Sequence, residues 1–407
     1  MASMHINTIL IISSHFYPVT GGTPTHAHRL CQALAEIGKD VHLITAGGDA
    51  PYRDDIREFD LHQTYRIHRI PTHKSYKNDL AFLFSIRSQL PNFIREFHPE
   101  IIDISTGNFV PLVLRFTNCF GVPIVYTIHN VPPEEHSINA FSKIPLLRDI
   151  AKTAYFSCIK LIARLTVWFG KYNSIIAVSE NTKKKLIAIH AKPDFISVVG
   201  NGISIPSDTS AIQTDFSDEI RILTVAGVIE HKGQINMIYA LPKILAIVPN
   251  VKYYIVGSIR SPEYRKKIES MIQELGVESS VKITGEVSVN ELQMYYDSCD
   301  IYVQPSYQEG FCIAILDAMI RGKPVIGTDV GEVATFIGTD RGILLEMPNP
   351  TSLADAVLRY VYENDFVRSM AKCGCDFIRE KYSWKKVAAE TMCVFEKTLS
   401  EEQTKNT

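Results

Sequence analysis

Strand-length apolar runs alternate with helical stretches along this chain of 407 residues, and no other feature constrains its fold as strongly. Amphipathic spacing, as in 26–37, 234–247 and 263–275, separates the runs. Short buried strands that alternate with helices are typical of parallel α/β folds. The predicted strands are 8–12, 41–45, 101–104, 124–128, 222–226, 253–256, 281–284, 301–304 and 325–328.

The alternation breaks between residues 200 and 220. Asn201-Gly202 is a turn signal, and the polar stretch 206–210 has the composition of a linker. Because a domain takes roughly 100–200 residues, a chain of this length favours two domains. We predict two doubly wound Rossmann-like domains, 1–205 and 206–383, that face each other across a cleft. Ligands of such sheets bind beyond the carboxyl ends of the strands, so the cleft is the expected site.

Composition excludes several classes of protein. A content of 46% hydrophobic and 21% charged residues argues against a disordered chain. The balance of 42 Lys+Arg against 44 Asp+Glu argues against a nucleic-acid binder. Eight scattered cysteines without a CxxC pair favour a reduced, cytoplasmic setting and no zinc site. No secretory signal is visible, and the longest apolar tract, 150–169, contains three basic residues that a membrane-spanning helix would have to bury.

Positive charge is concentrated in the first half. Residues 1–200 contain 21 basic and 16 acidic side chains, and 148–171 has the pattern of a basic amphipathic helix. Such a helix can bind an anionic membrane surface, which predicts peripheral attachment to the inner face of the membrane. The alternative for the helix is that its apolar face packs in the core. The alternative for the charge is that the two domains differ in charge for no functional reason.

Two loops have the composition of phosphate-binding loops. In the first, Gly21 and Gly22 precede a helix, whose free amides can bind an anion, although a Gly-Gly pair is more often a simple turn. In the second, a strand ends at Gln304, and Gly310 is predicted to open a helix that runs to about Met319. The candidate groups of this second loop are the carboxylates of Glu309 and Asp317 and the amides of Gly310, Phe311 and Cys312. If the helix starts early, both carboxylates face one cleft; the alternative is one loop acid and one core acid.

Residues 305–319 resemble the signature P-S-x-x-E-G-F-G-x-x-x-x-E-A-M of the family-four group of retaining GT-B glycosyltransferases. Further segments that match motifs of that family are Phe16-Tyr17-Pro18 with Gly21-Gly22, Thr127–Asn130, Val178–Glu180, Val199–Ile203, Lys232-Gly233, Gly322–Ile326 and Gly331-Glu332. The resemblance therefore covers most of the chain. It implies a GT-B fold, and it implies that segment 384–407 forms a C-terminal helix that crosses back to the first domain.

The resemblance also implies roles for individual residues. Lys232 pairs with the diphosphate of a nucleotide-sugar donor, Glu309 binds hydroxyls of the donor sugar, and Asp317 binds the ribose. Gly21 and Gly22 present amides to the donor, and His129 points to the reacting centre. The alternatives are that Lys232 is an ordinary surface lysine, that Glu309 caps a helix and that His129 is structural. His15, His26 and His28, which lie near the Gly-Gly loop, rank below His129.

Three positions depart from the family pattern. Asp317 replaces the second Glu of the signature, Cys312 stands where the family often has Gly, and Gly227 takes the place of a phosphate-binding Arg. One positively charged side chain that would bind the diphosphate is then missing, unless Arg260 or another residue replaces it.

We therefore predict a hexosyltransferase-type, retaining glycosyltransferase. Its donor is UDP- or GDP-linked, and its acceptor is a glycan, a polysaccharide repeat or a lipid-linked sugar. No D-x-D triplet is present, so we expect neither a required metal nor another cofactor. The alternatives are a nucleotide-sugar epimerase on the same fold and a non-catalytic sugar-nucleotide binder.

Overall fold

The computed structural model describes residues 6–19, 22–47, 54–72, 79–106, 109–129, 161–205 and 219–406. The chain forms two compact units. Unit 1 comprises Met1–Gly202 and Trp384–Thr407, and unit 2 comprises Ile203–Ser383. Each unit is built around one parallel sheet.

The sheet of unit 1 has seven strands in the order β3-β2-β1-β4-β5-β6-β7, and neighbouring strands run parallel. Its strands are β1 (Thr8–Ser13), β2 (Asp40–Ala46), β3 (Arg66–Ile70), β4 (Ile101–Thr106), β5 (Ile124–Ile128), β6 (Ser174–Ala177) and β7 (Ile196–Val198). The order reverses direction between β1 and β4, which is the switch point where ligands of doubly wound sheets bind.

Helices cover both faces of this sheet. They are α1 (Gly22–Glu36), α2 (Asp54–Leu61), α3 (Asp79–Phe97), α4 (Val110–Leu114), α5 (described over 161–169), α6 (Glu180–Ala188) and the C-terminal α14 (Trp384–Asn406). Leu10 and Ile12 of β1 pack on the core shared with α3, whereas Ile9 and Ile11 pack on the core shared with α1 and α14. Because both faces are buried, the strand is continuously apolar rather than alternating.

The sheet of unit 2 has six parallel strands in the order β10-β9-β8-β11-β12-β13. They are β8 (Ile220–Val225), β9 (Val251–Val256), β10 (Val281–Gly285), β11 (Ile301–Gln304), β12 (Val325–Thr328) and β13 (Ile343–Leu345). The strand order is again that of a Rossmann-like sheet, with the switch point between β8 and β11.

Helices also cover both faces of this second sheet. They are α7 (Gln234–Leu245), α8 (Pro262–Glu274), α9 (Val289–Ser298), α10 (Ile313–Ile320), α11 (Val333–Ile337), α12 (Pro350–Tyr362) and α13 (Asn364–Lys381). One core packs α7, α8 and α12 against the sheet, and a second core on the opposite face packs α9, α10, α11 and α13. The prediction of an α/β fold with two doubly wound domains is confirmed.

The amphipathic helix predicted over 148–171 lies partly outside the described residues. Over 161–169 the chain is helical, but the predicted apolar face is only partly buried: Ile162 and Leu165 are half-buried, whereas Leu161, Trp168 and Phe169 are 54%, 51% and 49% exposed. Val167, which breaks the predicted pattern, is the side chain that packs into the core. For these residues the expectation of a core-facing apolar arc is wrong. Within the ranges given above, no helix combines the length and the apolarity needed to cross a bilayer.

Candidate functional site

The loops after β8 and β11 meet at the switch point of unit 2. The β8 loop ends in a short 3-10 turn, Glu230–Lys232, followed by Gly233, which begins α7 with a φ of +65°. A Cβ on Gly233 would overlap the carbonyl oxygen of Pro305 in the β11 loop, so only glycine allows this approach. The main-chain N–H of Tyr307 donates to the carbonyl of His231 at 2.8 Å, which fixes one loop on the other.

This approach brings Lys232 and Glu309 together. Lys232 Nζ lies 2.7 Å from Glu309 Oε2. The carboxylate side chain is 6% exposed and the lysine side chain is 21% exposed, so the pair is shielded but can be reached from one side. Two residues 77 positions apart in sequence thus form one charged unit at the carboxyl edge of the sheet.

The second oxygen of Glu309 is also occupied. Gln304 Nε2 donates to Oε1 at 2.8 Å, and Ser306 Oγ donates to it at 2.7 Å. Gln304 is held in turn by Tyr302, whose hydroxyl donates to Gln304 Oε1. Both carboxylate oxygens therefore have partners, which holds the group in one orientation. Gln304 and Ser306 did not stand out in the sequence as functional residues; their positions at the end of a strand next to a carboxylate were the available signal.

The helix after this loop starts later than predicted. It begins at Ile313 rather than at Gly310, because Cys312 adopts a left-handed conformation (φ +59°, ψ +62°) that an α-helix cannot contain. Among the described residues, the amides of Gly310, Phe311 and Cys312 donate to no hydrogen bond. They therefore form the turn in front of α10 and remain available to an anion.

The two acids of the signature lie in different elements and have different partners. Asp317 lies in α10 and pairs with Arg321 Nη1 at 3.2 Å, whereas Glu309 lies in the loop and pairs with Lys232. Burial raises the pKa of Asp317 to about 6, although Arg321 acts in the opposite direction. The alignment of Glu309 with Asp317 on one helical wheel was conditional on a helix that starts early, and this condition is not met, since helical geometry does not extend back through Cys312.

At the switch point of unit 1 the structure brings together two histidines. His129 follows β5, and His26 lies in α1; their ring centroids are 4.5 Å apart with planes at 75°. The ring of Trp384, from the start of α14, lies 5.5 Å from that of His26. Within the described ranges, neither ring nitrogen of His26 nor Nε2 of His129 has a hydrogen bond of normal length and angle.

Both histidines are neutral at pH 7. Burial lowers the pKa of His129 to about 4, against a smaller raising effect of a hydrogen bond to the Ser105 main chain. Burial lowers the pKa of His26 well below its usual value; the neighbouring His129 adds to the effect, and the Asn201 side chain opposes it. Neutral imidazoles can exchange hydrogen bonds with hydroxyl groups, but they bring no charge to a phosphate. The sequence does not predict that His26 lies next to His129, because only the fold shows that α1 returns it to the end of β5.

The glycines of the first loop are only partly within the described residues. Gly22 is the first residue of α1 and is exposed, and no atom lies within 4 Å of the position that a Cβ would take there. Gly21 lies outside the described residues. Within those residues no group of three His, Cys, Asp or Glu side chains is arranged to hold a metal ion.

Two family models match adjacent halves of the chain. The model described as Glycosyltransferase Family 4 matches residues 20–205, and the model described as Glycosyl transferases group 1 matches residues 208–374. The chain belongs to the group 1 glycosyltransferases. It is therefore an enzyme of the glycosyltransferase class, EC 2.4.

Relatives of this group 1 glycosyltransferase align over nearly the whole chain. An uncharacterised glycosyltransferase of Methanocaldococcus jannaschii is 28% identical over 93% of this chain and 95% of its own length. One subunit of the human phosphatidylinositol N-acetylglucosaminyltransferase is 24% identical over 97% of this chain and 77% of its own length.

Solved structures of other proteins share the fold. Sucrose-phosphate synthase from Thermosynechococcus elongatus superposes with a TM-score of 0.73 at 19% identity, covering 97% of this chain and 100% of that one. Anabaena HepE in complex with UDP-glucose superposes with a TM-score of 0.69 at 17% identity, covering 98% and 100%. This group 1 glycosyltransferase thus has the two-domain GT-B architecture that the sequence predicted.

Proposed function

We propose that this enzyme transfers a sugar, with retention of the anomeric configuration, from a UDP- or GDP-linked donor to a glycan, polysaccharide-repeat or lipid-linked acceptor, without a metal ion. The observation that carries the proposal is the shielded Lys232–Glu309 pair at the switch point of unit 2. A cation and a fixed carboxylate side by side can bind the two parts of a nucleotide sugar, namely the diphosphate and the sugar hydroxyls.

Lys232 is the residue we assign to the donor diphosphate. Its side chain is 21% exposed, and its Nζ keeps donor capacity beyond the one bond to Glu309. A positive charge fixed near the leaving phosphate stabilises the charge that develops when the glycosidic bond breaks. The amides of Gly310, Phe311 and Cys312 are assigned to the same diphosphate, and Asp317 is assigned to the ribose hydroxyls. Gly21 and Gly22 remain candidates for additional amides to the donor.

Glu309 is assigned to hydroxyls of the donor sugar. Both of its oxygens already accept hydrogen bonds, and one contacts a cation, so the carboxylate is a weak nucleophile. Double displacement requires a free nucleophilic carboxylate at the anomeric carbon. We therefore favour departure and attack on the same face, with the leaving phosphate as the base, and we assign His129 a hydrogen bond to the donor sugar.

Metal independence follows from the same assignment. The positive charge that a divalent cation would bring to a diphosphate comes, in this proposal, from side chains and from the start of α10. Added EDTA is expected to leave turnover unchanged; a requirement for Mg²⁺ or Mn²⁺ would contradict this part of the proposal.

A surface of unit 1 supports attachment to an anionic membrane. Phe116, just after α4, is 72% exposed, and Trp168 and Phe169 at the end of α5 are about half exposed. Arg115 Nη1 donates to the carbonyl of Phe169 at 3.3 Å, which joins the two helix ends, and Arg164 is exposed on α5. Exposed aromatic rings next to arginines suit the interface of an anionic bilayer.

The attachment is tested by sedimentation with vesicles of phosphatidylglycerol and phosphatidylcholine. Arg115→Glu with Arg164→Glu should release the protein from the anionic vesicles, whereas Lys266→Glu with Lys267→Glu on α8 should not. Equal sedimentation of both double variants would contradict the assignment of this surface.

The transferase activity itself is tested by a turnover assay. The protein is incubated in EDTA with a panel of UDP- and GDP-sugars, and released nucleotide is measured. Release from one donor that is lost in Lys232→Ala and Glu309→Ala supports the proposal. Interconversion of free nucleotide sugars would identify an epimerase instead, and binding to none of the donors would reject the donor class.

A further inference from the structure

The side chain of Arg260 occupies space that the loop after β8 leaves open at a glycine. It belongs to the loop after β9, and its side chain passes over Gly227, the second residue after β8. A Cβ on Gly227 would lie 2.9 Å from Arg260 Cδ and 3.0 Å from Arg260 Nε. Gly227 does not have a positive φ, so the backbone itself accepts a side chain there. The glycine is therefore explained by the arginine that occupies its side-chain space.

Main-chain hydrogen bonds hold the two loops together as one element. Val228 donates to Ser258 at 2.9 Å and accepts from Arg260 and Ser261 at 3.2 and 3.0 Å. Ser261 Oγ also donates to Glu230 Oε1 at 2.9 Å. The main chain of Arg260 is thus fixed relative to the turn that carries Lys232.

The guanidinium belongs to the same electrostatic environment as the Lys232–Glu309 pair. Burial and Lys232 lower the pKa of His231, Glu309 and Glu230 raise it, and Arg260 lowers it further, so the charge of Arg260 acts on the same ring as the Lys232–Glu309 pair. Arg260 is exposed, and in the described part of the chain no ion pair or side-chain hydrogen bond involves its guanidinium. Lys232, by contrast, already shares its charge with Glu309.

A nucleoside diphosphate needs more positive charge than Lys232 alone provides. Its two phosphates carry several negative charges, while the Lys232–Glu309 pair is close to neutral as a unit. An arginine with a free planar fork is well suited to bind phosphate oxygens in a bidentate manner.

We propose that Arg260 is the second diphosphate-binding cation of this enzyme, supplied by the β9 loop across Gly227. The proposal rests on the assignment of the donor to unit 2, and it assigns a specific residue to a charge that the loop after β8 lacks. It also predicts that the arginine can be moved: a side chain placed at position 227 fills the same space when position 260 is emptied.

The test is isothermal titration of UDP and of GDP, without metal, into the wild-type enzyme, Lys232→Ala and four further variants. Arg260→Ala should weaken binding of the preferred nucleotide roughly 10- to 100-fold, because it removes hydrogen bonds between charged groups. Arg260→Lys should recover part of the loss. The double variant Gly227→Arg with Arg260→Ala should recover binding to within about fivefold of wild type. Arg265→Ala, which removes an arginine paired with Glu269 on α8, is the matched control and should bind like wild type.

The outcomes separate the two proposals. If Lys232→Ala weakens binding but Arg260→Ala does not, Arg260 has no role in binding the diphosphate and the donor assignment stands. If Arg260→Ala weakens binding and the double variant does not recover it while its melting temperature is that of wild type, the proposed exchange of positions is wrong. If the wild type binds neither nucleotide, the assignment of the donor to unit 2 is contradicted, and the proposal for Arg260, which rests on it, is contradicted as well.

Discussion

The carboxyl edges of the two sheets have the same strand order and different electrostatics. At the β8–β11 edge of unit 2, Lys232 and Glu309 form an ion pair in which both carboxylate oxygens have partners. At the edge of unit 1, burial keeps His129 uncharged, and several buried polar atoms, including Nε2 of His129 and both nitrogens of His26, lack a well-formed hydrogen bond within the described residues.

The contrast extends into the sheet of unit 1. Asp103 of β4 is fully buried, and burial raises its pKa to about 7, while Thr127 Oγ1 donates to its Oδ1 at 2.8 Å. One fold thus carries a charged edge with a fully paired carboxylate in unit 2 and a neutral edge with unpaired histidine nitrogens in unit 1. The charged edge suits a diphosphate and the neutral edge suits hydroxyl groups, so strand order locates an edge but the loop residues determine its chemistry.

The largest effect is expected at the carboxylate of the charged edge. Glu309→Gln keeps the shape of the side chain but removes the negative charge that pairs with Lys232 and strengthens the hydrogen bonds accepted from hydroxyl groups. We expect kcat to fall about 10³-fold, the size of effect seen when a fixed electrostatic contact is removed. Steady-state kinetics on the donor identified above measure it, with Glu274→Gln on the surface of α8 as the control. A loss of less than about tenfold would mean that the pair is structural.

The neutral edge is tested by His129→Ala. We expect kcat to fall about 100-fold with less than about a threefold change in the affinity for the nucleotide, because the proposal assigns the neutral imidazole to the donor sugar and not to the phosphates. Because the pKa of His129 is about 4, wild-type activity should not show a histidine titration between pH 6 and 8. His28→Ala, at a histidine bonded to Tyr65, is the control. A pH profile with a step near 6.5 that disappears in His129→Ala would contradict the neutral assignment.

The buried acid of unit 1 predicts a stability change of intermediate size. The folded pKa of Asp103, about 7, lies above that of an unfolded Asp near 3.9, so the folded state prefers the protonated acid and loses stability as the pH rises from the unfolded pKa toward 7. Asp103→Asn removes this cost and should stabilise the protein by about 2 kcal/mol at pH 8, and by less at pH 5. Thermal unfolding at the two pH values measures it; equal shifts would show that the carboxyl is not titrating.

The smallest effect concerns the left-handed residue in front of α10. Cys312→Gly and Cys312→Ala both remove the sulfur, but only glycine adopts a positive φ without a steric cost. We expect the glycine variant to be more stable than the alanine variant by about 1 kcal/mol in urea unfolding. The reverse order would show that residue 312 does not need the left-handed conformation.

The sequence predicted the central strands well, because strands buried on both faces are continuous apolar runs. It missed β3, β7 and β13, which lie at the edges of the sheets, where each strand has a neighbour on one side only and is partly exposed. It also missed β6, a buried strand of four residues between β5 and β7, because so short a run does not stand out in the sequence. Edge strands tolerate polar residues, so Arg66–Ile70 does not stand out from a loop.

The sequence predicted which residues belong to the candidate site better than it predicted the contacts between them. Motif register placed Lys232 and Glu309 in one site, where the structure brings them 2.7 Å apart. The early start of α10 that would align Glu309 with Asp317 is not observed, and the sequence could not show this, because nothing about a cysteine signals the left-handed conformation of Cys312. The position of Arg260 over Gly227 could not be derived either, since it depends on how two consecutive βα loops pack.

The contrast between the two edges is tested most directly by titrating UDP and GDP into the wild type, Lys232→Ala and His129→Ala. The charged edge should hold the diphosphate, so Lys232→Ala should weaken binding of the preferred nucleotide at least about 10-fold. His129→Ala should bind that nucleotide within about threefold of wild type. The assignment of the donor to the charged edge of unit 2 would be contradicted if Lys232→Ala bound the nucleotide as tightly as wild type while His129→Ala bound it much more weakly.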